Sequence, residues 1–213
     1  MAATFGTDRS RLVTWASNRK SGDKALQYAD VVSFNSYPGW YGGGANTVVS
    51  AWQWDADWVA QHWPTKPFII SETGAGGIAG NHSAILPPSN ATRWSEEYQA
   101  VVDALDAGVA MNDSNIAGIA LWQFTDSEPC GETGSEPTHL QPRVGVGRWP
   151  PGCRSDVSAL AADVAPILLV PVKVDQPNSS SGRPGGINNK GVLDQFRNPK
   201  LSAARVAALF GLI

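Results

Sequence analysis

The 213-residue chain carries a net charge of −3, and 42% of its residues are hydrophobic while 16% are charged. This length and composition fit one domain with a sizeable core and exclude the disordered and fibrous classes. No basic face is implied, and no apolar run approaches the ~18 residues of a membrane span, so neither nucleic acid nor a membrane is an expected partner.

Apolar runs rich in β-branched and aromatic residues recur along the chain and predict four strands. These runs are Arg11–Asn18, Asp30–Tyr37, Pro67–Ser71 and Ile116–Phe124. The third run is short and continuously apolar, which is typical of a strand buried on both faces of a parallel sheet.

A helix is predicted between the second and third strands. The segment Val48–Trp63 has helical spacing, with Trp52, Val59 and Trp63 near one face. This spacing indicates a helix that packs one apolar side against the sheet.

Two further helices are predicted later in the chain. Thr92–Ala110 has Thr92 as a plausible N-cap residue, followed by two glutamates near the positive end of the helix dipole. The last helix is predicted to start near Pro199, a favoured residue of a first helical turn, and to run to about Leu212.

Strands that alternate with helices predict an α/β fold with a parallel sheet. No GxGxxG motif follows the first strand, so a dinucleotide-binding sheet is not supported. The other common outcome is a (β/α)8 TIM barrel, which needs roughly 250 residues for its eight units. This sequence supplies about four units, so only the second half of a barrel is expected within residues 1–213.

A long insert is predicted at about 127–186, rich in Pro, Gly and Ser. Unstructured loops of this length are uncommon in compact domains. A substrate-side loop, a disordered segment and a sequence artefact are all compatible with it. Cys130 and Cys153 lie within this insert and form either a disulfide that closes the loop or two unrelated thiols.

Polar and aromatic residues cluster where the predicted strands end, which is where barrel enzymes place their active sites. These residues are Asn18, Asn35, Tyr37, Gly39, Trp40, Tyr41, Glu72, Trp122, Gln123 and Asp126. Glu72 is the sharpest candidate because it leaves an apolar strand and precedes a glycine-rich turn. A carboxylate buried there without a partner would be costly. Pairing with an arginine or capping of a loop would also explain it.

Four segments carry a resemblance to a known family: DVVSFNSYPGWY, KPFIISETGAGGIAG, GIALWQFTD and NNKGVLDQFRNPKLSAA. In this order they resemble the second half of the catalytic barrel of glycoside hydrolase family 2, nearest to its β-glucuronidase branch. The resemblance runs from about Arg11 to Ile213, apart from the insert.

The resemblance implies a retaining glycosidase in which Glu72 is the nucleophile and forms a glycosyl–enzyme intermediate. The family's acid/base residue is a Glu preceded by Asn, and no Asn-Glu pair occurs in this sequence. The resemblance places its strand upstream of Met1. Hydrolysis is therefore expected to need the missing N-terminal half or another copy of the chain, and the isolated chain is expected to have little or no activity.

The resemblance also implies roles for residues after the second strand. Tyr37 would hydrogen-bond to the nucleophile and keep it oriented and ionised. Asn35 and Tyr41 match residues that line the subsite of the cleaved sugar. Turn formation at Pro38-Gly39 and simple aromatic packing are the competing explanations.

Later motifs complete the implied site. Trp122 matches a tryptophan that forms a floor for the sugar ring, although core packing would also explain it; Asp126, just beyond, is a candidate loop anchor. Asn188 and Lys190 match the Asn-x-Lys pair that contacts the sugar carboxylate in glucuronidases, and related galactosidases carry a similar motif. His82 either lines the site or holds its loop.

The leading interpretation is a β-glycosidase acting on β-glucuronides or related β-glycosides, as part of a longer or two-part enzyme. The alternatives are a non-catalytic sugar-binding remnant and a truncated fragment. No metal or cofactor is implied, because the mechanism needs only carboxylates. The compartment is open, with the cysteines and four Asn-x-Ser/Thr triplets slightly favouring an extracellular or lysosomal location.

Overall fold

The structure is a computed structural model that describes residues 11–85, 90–127, 184 and 187–211. A three-stranded parallel sheet lies at its centre, with strand order β1-β2-β3. The strands are β1 (Val32–Asn35), β2 (Phe68–Thr73) and β3 (Gly118–Leu121). Because all three run in the same direction, their carboxyl ends meet at one edge of the sheet.

The structure has three α-helices: α1 (Val48–His62) connects β1 to β2, α2 (Glu96–Asn112) connects β2 to β3, and α3 (Leu201–Leu209) packs against α2. Short 3-10 helices occupy Lys20–Gly22, Lys24–Tyr28 and Ala45–Thr47. The parallel sheet with intervening helices confirms the predicted α/β class.

The hydrophobic core lies between the sheet and the helices. Phe34 on β1 and Phe68 on β2 meet edge to face, with ring centroids 5.1 Å apart. Trp52 and Val59 of α1 are buried in the same cluster, and Trp63 packs against it. Trp63 follows the last residue of α1 rather than belonging to it.

The predicted first strand, Arg11–Asn18, is wrong as a regular strand. Its one bridge to the sheet pairs Ser17 with Phe34. Nearer the start, side chains bond to the backbone of this segment: the Asp30 carboxylate accepts from Val13 N at 2.8 Å, and the Ser33 hydroxyl donates to Trp15 O at 2.5 Å. Backbone bonds also join the two runs, from Asp30 N to Val13 O at 2.8 Å and from Ser17 N to Ser33 O at 3.1 Å, but they do not form a regular ladder along the segment.

The boundaries of the other predicted strands also move. β2 extends through Glu72 to Thr73, because Glu72 pairs with Asn35 and Thr73 pairs with Leu121. β3 ends at Leu121, after which Gln123 donates its backbone N–H to Lys190 O at 2.9 Å.

Two helix starts were predicted too early. Ser95, not Thr92, is the N-cap residue of α2, and its side chain accepts from Tyr98 N. Trp94 has a φ of 73°, which a helix cannot accommodate, so residues 92–94 form a turn. α3 starts at Leu201, so Pro199 precedes its first turn.

Cys130, Cys153 and nearly all of the predicted insert at 127–186 lie outside the described residues, as do Met1 to Ser10. Within the described ranges, none of the helices combines the length and apolar character needed to cross a bilayer.

Candidate active site

An open cleft of about 590 Å³ lies at the carboxyl ends of the strands. Its lining residues come from the segment before β1, from the ends of β1, β2 and β3, and from the segment before α3. They are Asn18, Asn35, Ser36, Tyr37, Pro38, Tyr41, Gly42, Glu72, Trp122, Asn188 and Lys190. The cleft therefore brings together the seven residues for which catalysis or sugar binding was predicted, together with Asn18, while their chemical roles stay predictions.

Glu72 lies near the end of β2, directly beside Asn35 of β1. Burial raises the pKa of its carboxyl group, while hydrogen bonds from Tyr37 and Asn35 and the positive charge of Lys190 oppose that rise. A half-buried carboxylate held by two side-chain hydrogen bonds has a fixed direction and remains open to the cleft. This arrangement suits a nucleophile or a charge stabiliser.

Lys190 places its cation among three aromatic rings, here called the aromatic cage. Its Nζ lies 4.7 Å from the ring centroid of Tyr37, 4.0 Å from that of Trp40 and 4.9 Å from that of Tyr41. Cation–π attraction of this kind strengthens when water is excluded, and Lys190 is buried. The cage keeps a positive charge at the wall of the cleft that also holds Glu72.

The segment 188–193, which carries Asn188 and Lys190, is tied to the chain after β3 by backbone bonds. Its bridges join Ser127 to Asn188 and Thr125 to Leu193. A side chain at Gly191 would lie 2.1 Å from Asp126 N, so this close approach requires glycine. The position of Lys190 therefore depends on a tightly fitted backbone.

Two buried acids of α2 support the chain at the end of β2. Asp106 accepts from Thr73 Oγ1 at 3.0 Å and from Trp52 Nε1 at 2.7 Å. Asp103 accepts from Ala75 N at 3.1 Å and from the Ser202 hydroxyl. Burial raises the pKa of Asp103 to about 6 and the pKa of Asp106 well above its ordinary value.

His82 does not line the cleft. It is exposed, and its Nδ1 lies 2.9 Å from Glu97 Oε1, while Glu97 also accepts from Ser83 N at 2.8 Å. Of the two roles predicted for His82, the geometry fits the one that holds the loop. The carboxylate of Glu97 raises the pKa of His82.

The described residues bring few kinds of reactive group to the cleft. Among the described residues that line it, Glu72 carries the one carboxylate. In the same part of the chain, no group of three or more His, Cys, Asp or Glu side chains is placed to hold a metal ion. The described part of the cleft thus supplies a carboxylate, a cation, amides, hydroxyls and aromatic faces.

Sequence reasoning missed the residues that support the cleft from behind, which are Gln99, Asp103, Asp106 and Lys200. Gln99, Asp103 and Asp106 recur at helical spacing on the buried face of α2. Polar residues at positions that a helix should bury were the signal that could have identified them.

Known proteins with similar sequences include β-glucuronidases. The chain is 33% identical over 132 residues to the β-glucuronidase of Homo sapiens, over 59% of this chain and 19% of that protein. It is 32% identical over 109 residues to the β-glucuronidase of Streptococcus agalactiae, over 50% of this chain and 17% of that protein. The chain thus spans about a fifth of the length of these relatives.

Solved structures with a similar fold include a GH2 β-galacturonidase from Eisenbergiella tayi bound to galacturonate. The TM-score is 0.61 at 25% identity, over 93% of this chain and 26% of that chain. No protein-family model matches the sequence.

Proposed function

We propose, because this chain is β-glucuronidase-like in sequence and in fold, that it forms part of a retaining β-glycosidase of glycoside hydrolase family 2. Glu72 is its nucleophile, and its substrates are β-glucuronides or related β-glycosides. The observation that carries the proposal is the half-buried Glu72 carboxylate, oriented by Tyr37 and Asn35 in an open cleft.

In this mechanism, a Glu72 oxygen attacks the anomeric carbon as the bond to the leaving oxygen breaks. Water then releases the sugar from the covalent intermediate. Hydrogen bonds from Tyr37 and Asn35 keep the carboxylate ionised and aimed at the sugar. Burial acts in the opposite direction, because it raises the pKa of Glu72. The ionised carboxylate is therefore less stable in the cleft than in water, and forming the neutral ester removes this unfavourable buried charge.

A second carboxylate must protonate the leaving oxygen from about 5–5.5 Å away in a retaining enzyme. Because the described lining residues contain one carboxylate, we infer that the acid/base group comes from outside these residues. A longer protein or a second chain would supply it, which agrees with the chain spanning 19% of its human relative.

The preference for uronic acid sugars rests on Lys190 and Asn188 at the wall of the cleft. A cation and an amide together suit a carboxylate, because charge-assisted hydrogen bonds are stronger than neutral ones. Tyr41, which is 71% exposed, and Trp122 offer aromatic faces to the apolar side of a sugar ring.

The test uses 2,4-dinitrophenyl β-D-glucuronide, whose leaving group departs without a proton. Without an acid/base group the first step should proceed and the second should stall. The 213-residue chain should release about one equivalent of dinitrophenolate and then stop. Added azide, which attacks without a general base, should restore turnover and yield the β-glucuronosyl azide.

Glu72→Gln should abolish this burst, and Glu97→Gln, which changes a glutamate outside the cleft, should keep it. A burst that survives Glu72→Gln would contradict the assignment of the nucleophile. If the sugar binds and no burst occurs, the second candidate is favoured. That candidate is a non-catalytic sugar-binding protein, which the single carboxylate of the described cleft also fits.

A further inference from the structure

We propose that the buried ion pair Asp126–Lys200 is a positioning device that sets Lys190 in the cleft and thereby determines the preference for uronic acid sugars. Its substrate part rests on the proposed function, whereas its structural part does not. Neither residue lines the cleft, so both act through the backbone of residues 189–191.

The pair holds the backbone on both sides of Lys190. Lys200 Nζ donates to Asn189 O at 3.2 Å, and Asp126 Oδ1 accepts from Gly191 N at 2.8 Å. The two side chains join each other through a contact of 2.9 Å. Lys190 therefore lies between two residues whose backbone groups bond to opposite members of one ion pair.

The pair also ties this segment to the loop after β2. Lys200 Nζ donates to Gly77 O at 2.7 Å. A second contact runs in parallel, because Gln99 Nε2 donates both to Ala75 O at 3.1 Å and to Gly191 O at 2.9 Å. The segment that carries Lys190 is thus fixed relative to the turn that follows Glu72.

Burial of this pair needs an explanation, since each side chain is 1% exposed. Buried ion pairs contribute little net stability compared with apolar packing, because both charges lose their hydration. Burial raises the pKa of Asp126 to about 6, although the charge of Lys200 opposes the rise. What the pair provides that apolar side chains could not is hydrogen bonds to three backbone groups on two segments: Gly77 O in the loop after β2, and Asn189 O and Gly191 N on either side of Lys190.

The structural test follows Lys190 by NMR in a chain labelled with ¹³C at lysine Cε. The chain has six lysines, so the spectrum is simple, and Lys190→Arg assigns the signal of interest. Three rings within 5 Å of Lys190 Nζ should shift its Cε protons upfield. Lys66, whose Nζ lies 4.5 Å from the ring centroid of Trp63, provides an internal marker of folding in every spectrum.

In Asp126→Asn and in Lys200→Met, the Lys190 signal should move toward its unshifted position while the Lys66 signal stays. The double variant Asp126→Asn/Lys200→Met leaves no unpaired buried charge. If the single variants do not fold, its spectrum shows whether the ion pair positions Lys190. An unchanged Lys190 signal in any folded variant would overturn the proposal. Loss of the Lys66 shift in all three variants would also overturn it, since the pair would then serve the whole fold.

Asp55→Asn is the matched control. Asp55 is a buried acid of α1 that pairs with Lys20 at 2.6 Å and is not part of the cleft. This variant removes a buried negative charge, as Asp126→Asn does, yet it should leave the Lys190 signal in place.

The substrate test compares the dissociation constants of methyl β-D-glucuronide and methyl β-D-glucoside. Asp126→Asn, Lys200→Met and the double variant should each weaken glucuronide binding about tenfold and leave glucoside binding unchanged, since a misplaced Lys190 loses a charge-assisted contact with the sugar carboxylate. Equal weakening of both sugars would overturn the specificity role. If the unaltered chain shows no preference for the glucuronide, the proposed substrate class fails, and the NMR result still decides the positioning role.

Discussion

Replacing Lys190 with methionine removes one buried positive charge and keeps the aliphatic part of the side chain. A hydrogen bond between charged groups contributes about 1.5–3 kcal/mol. Losing it should weaken glucuronide binding about 10–100-fold. Methyl β-D-glucoside has no carboxylate, so its binding should change little. Titration calorimetry with both sugars measures this contrast directly.

The same substitution should also act on Glu72. The charge of Lys190 lowers the pKa of that carboxyl group, so Lys190→Met should raise the pKa further. Since only the ionised form attacks, the pH below which the dinitrophenolate burst slows should move upward. Lys66→Met is the control, because Lys66 lies over Trp63 and donates to Leu26 O, outside the cleft. If Lys190→Met weakened glucuronide and glucoside binding equally, Lys190 would not contact the sugar carboxylate.

Three further predictions concern the supports of the site. Tyr37→Phe removes a hydrogen bond that lowers the pKa of Glu72, so the acid limb of the burst rate should shift to higher pH, as stopped-flow measurements across pH would reveal. Burial raises the pKa of Asp103 to about 6, whereas an unfolded Asp titrates near 3.9. The folded chain then binds this proton more tightly, so the free energy of unfolding should rise as the pH falls from 7 to 5. Asp103→Asn should reduce that rise in urea titrations, and an identical pH dependence would contradict the assignment. Gly74→Ala should cost about 1–3 kcal/mol, because φ is 137° and the new Cβ would lie 2.8 Å from Trp122 O. Gly108→Ala, inside α2 with open space around it, should instead stabilise the chain by about 0.5–1 kcal/mol. If Gly108→Ala proved less stable than Gly74→Ala in urea unfolding, both expectations would be wrong.

Local pattern was enough to predict the elements that position Glu72. β2 is a continuously apolar run bounded by a proline and a glycine-rich turn, so both its existence and its polar end could be read from the sequence. α1 follows equally from the apolar spacing of Trp52 and Val59. The ends of both elements differ slightly: α1 ends at His62, one residue before the predicted end, and pairing with β1 and β3 extends β2 to Thr73.

Other features depend on contacts that no local pattern records. The segment 11–18 is apolar and strand-like, yet the side chains of Asp30 and Ser33 bond to its backbone. The start of α2 depends on the left-handed backbone at Trp94. Glycine favours this conformation, so a tryptophan at this position gave no indication of it.

Lys200 shows the same limit for the site. Next to a proline at the start of a helix, it looks like a surface cation. Its acceptors lie 123, 74 and 11 residues away, so its burial follows only from the tertiary fold. Most residues that line the cleft could be predicted because they lie at strand ends, and Asn188 and Lys190 were found through the family resemblance; nothing comparable marks Lys200.

The proposed activity depends on attack by Glu72 on the anomeric carbon of a sugar bound in the cleft. The most direct test treats the chain with 2-deoxy-2-fluoro-β-D-glucuronosyl fluoride, whose fluoride leaves without an acid, and maps the product by peptide mass spectrometry. We expect one sugar per chain, attached to Glu72, with no label in Glu72→Gln. Label on another carboxylate, or none on a chain that binds the sugar, would contradict it.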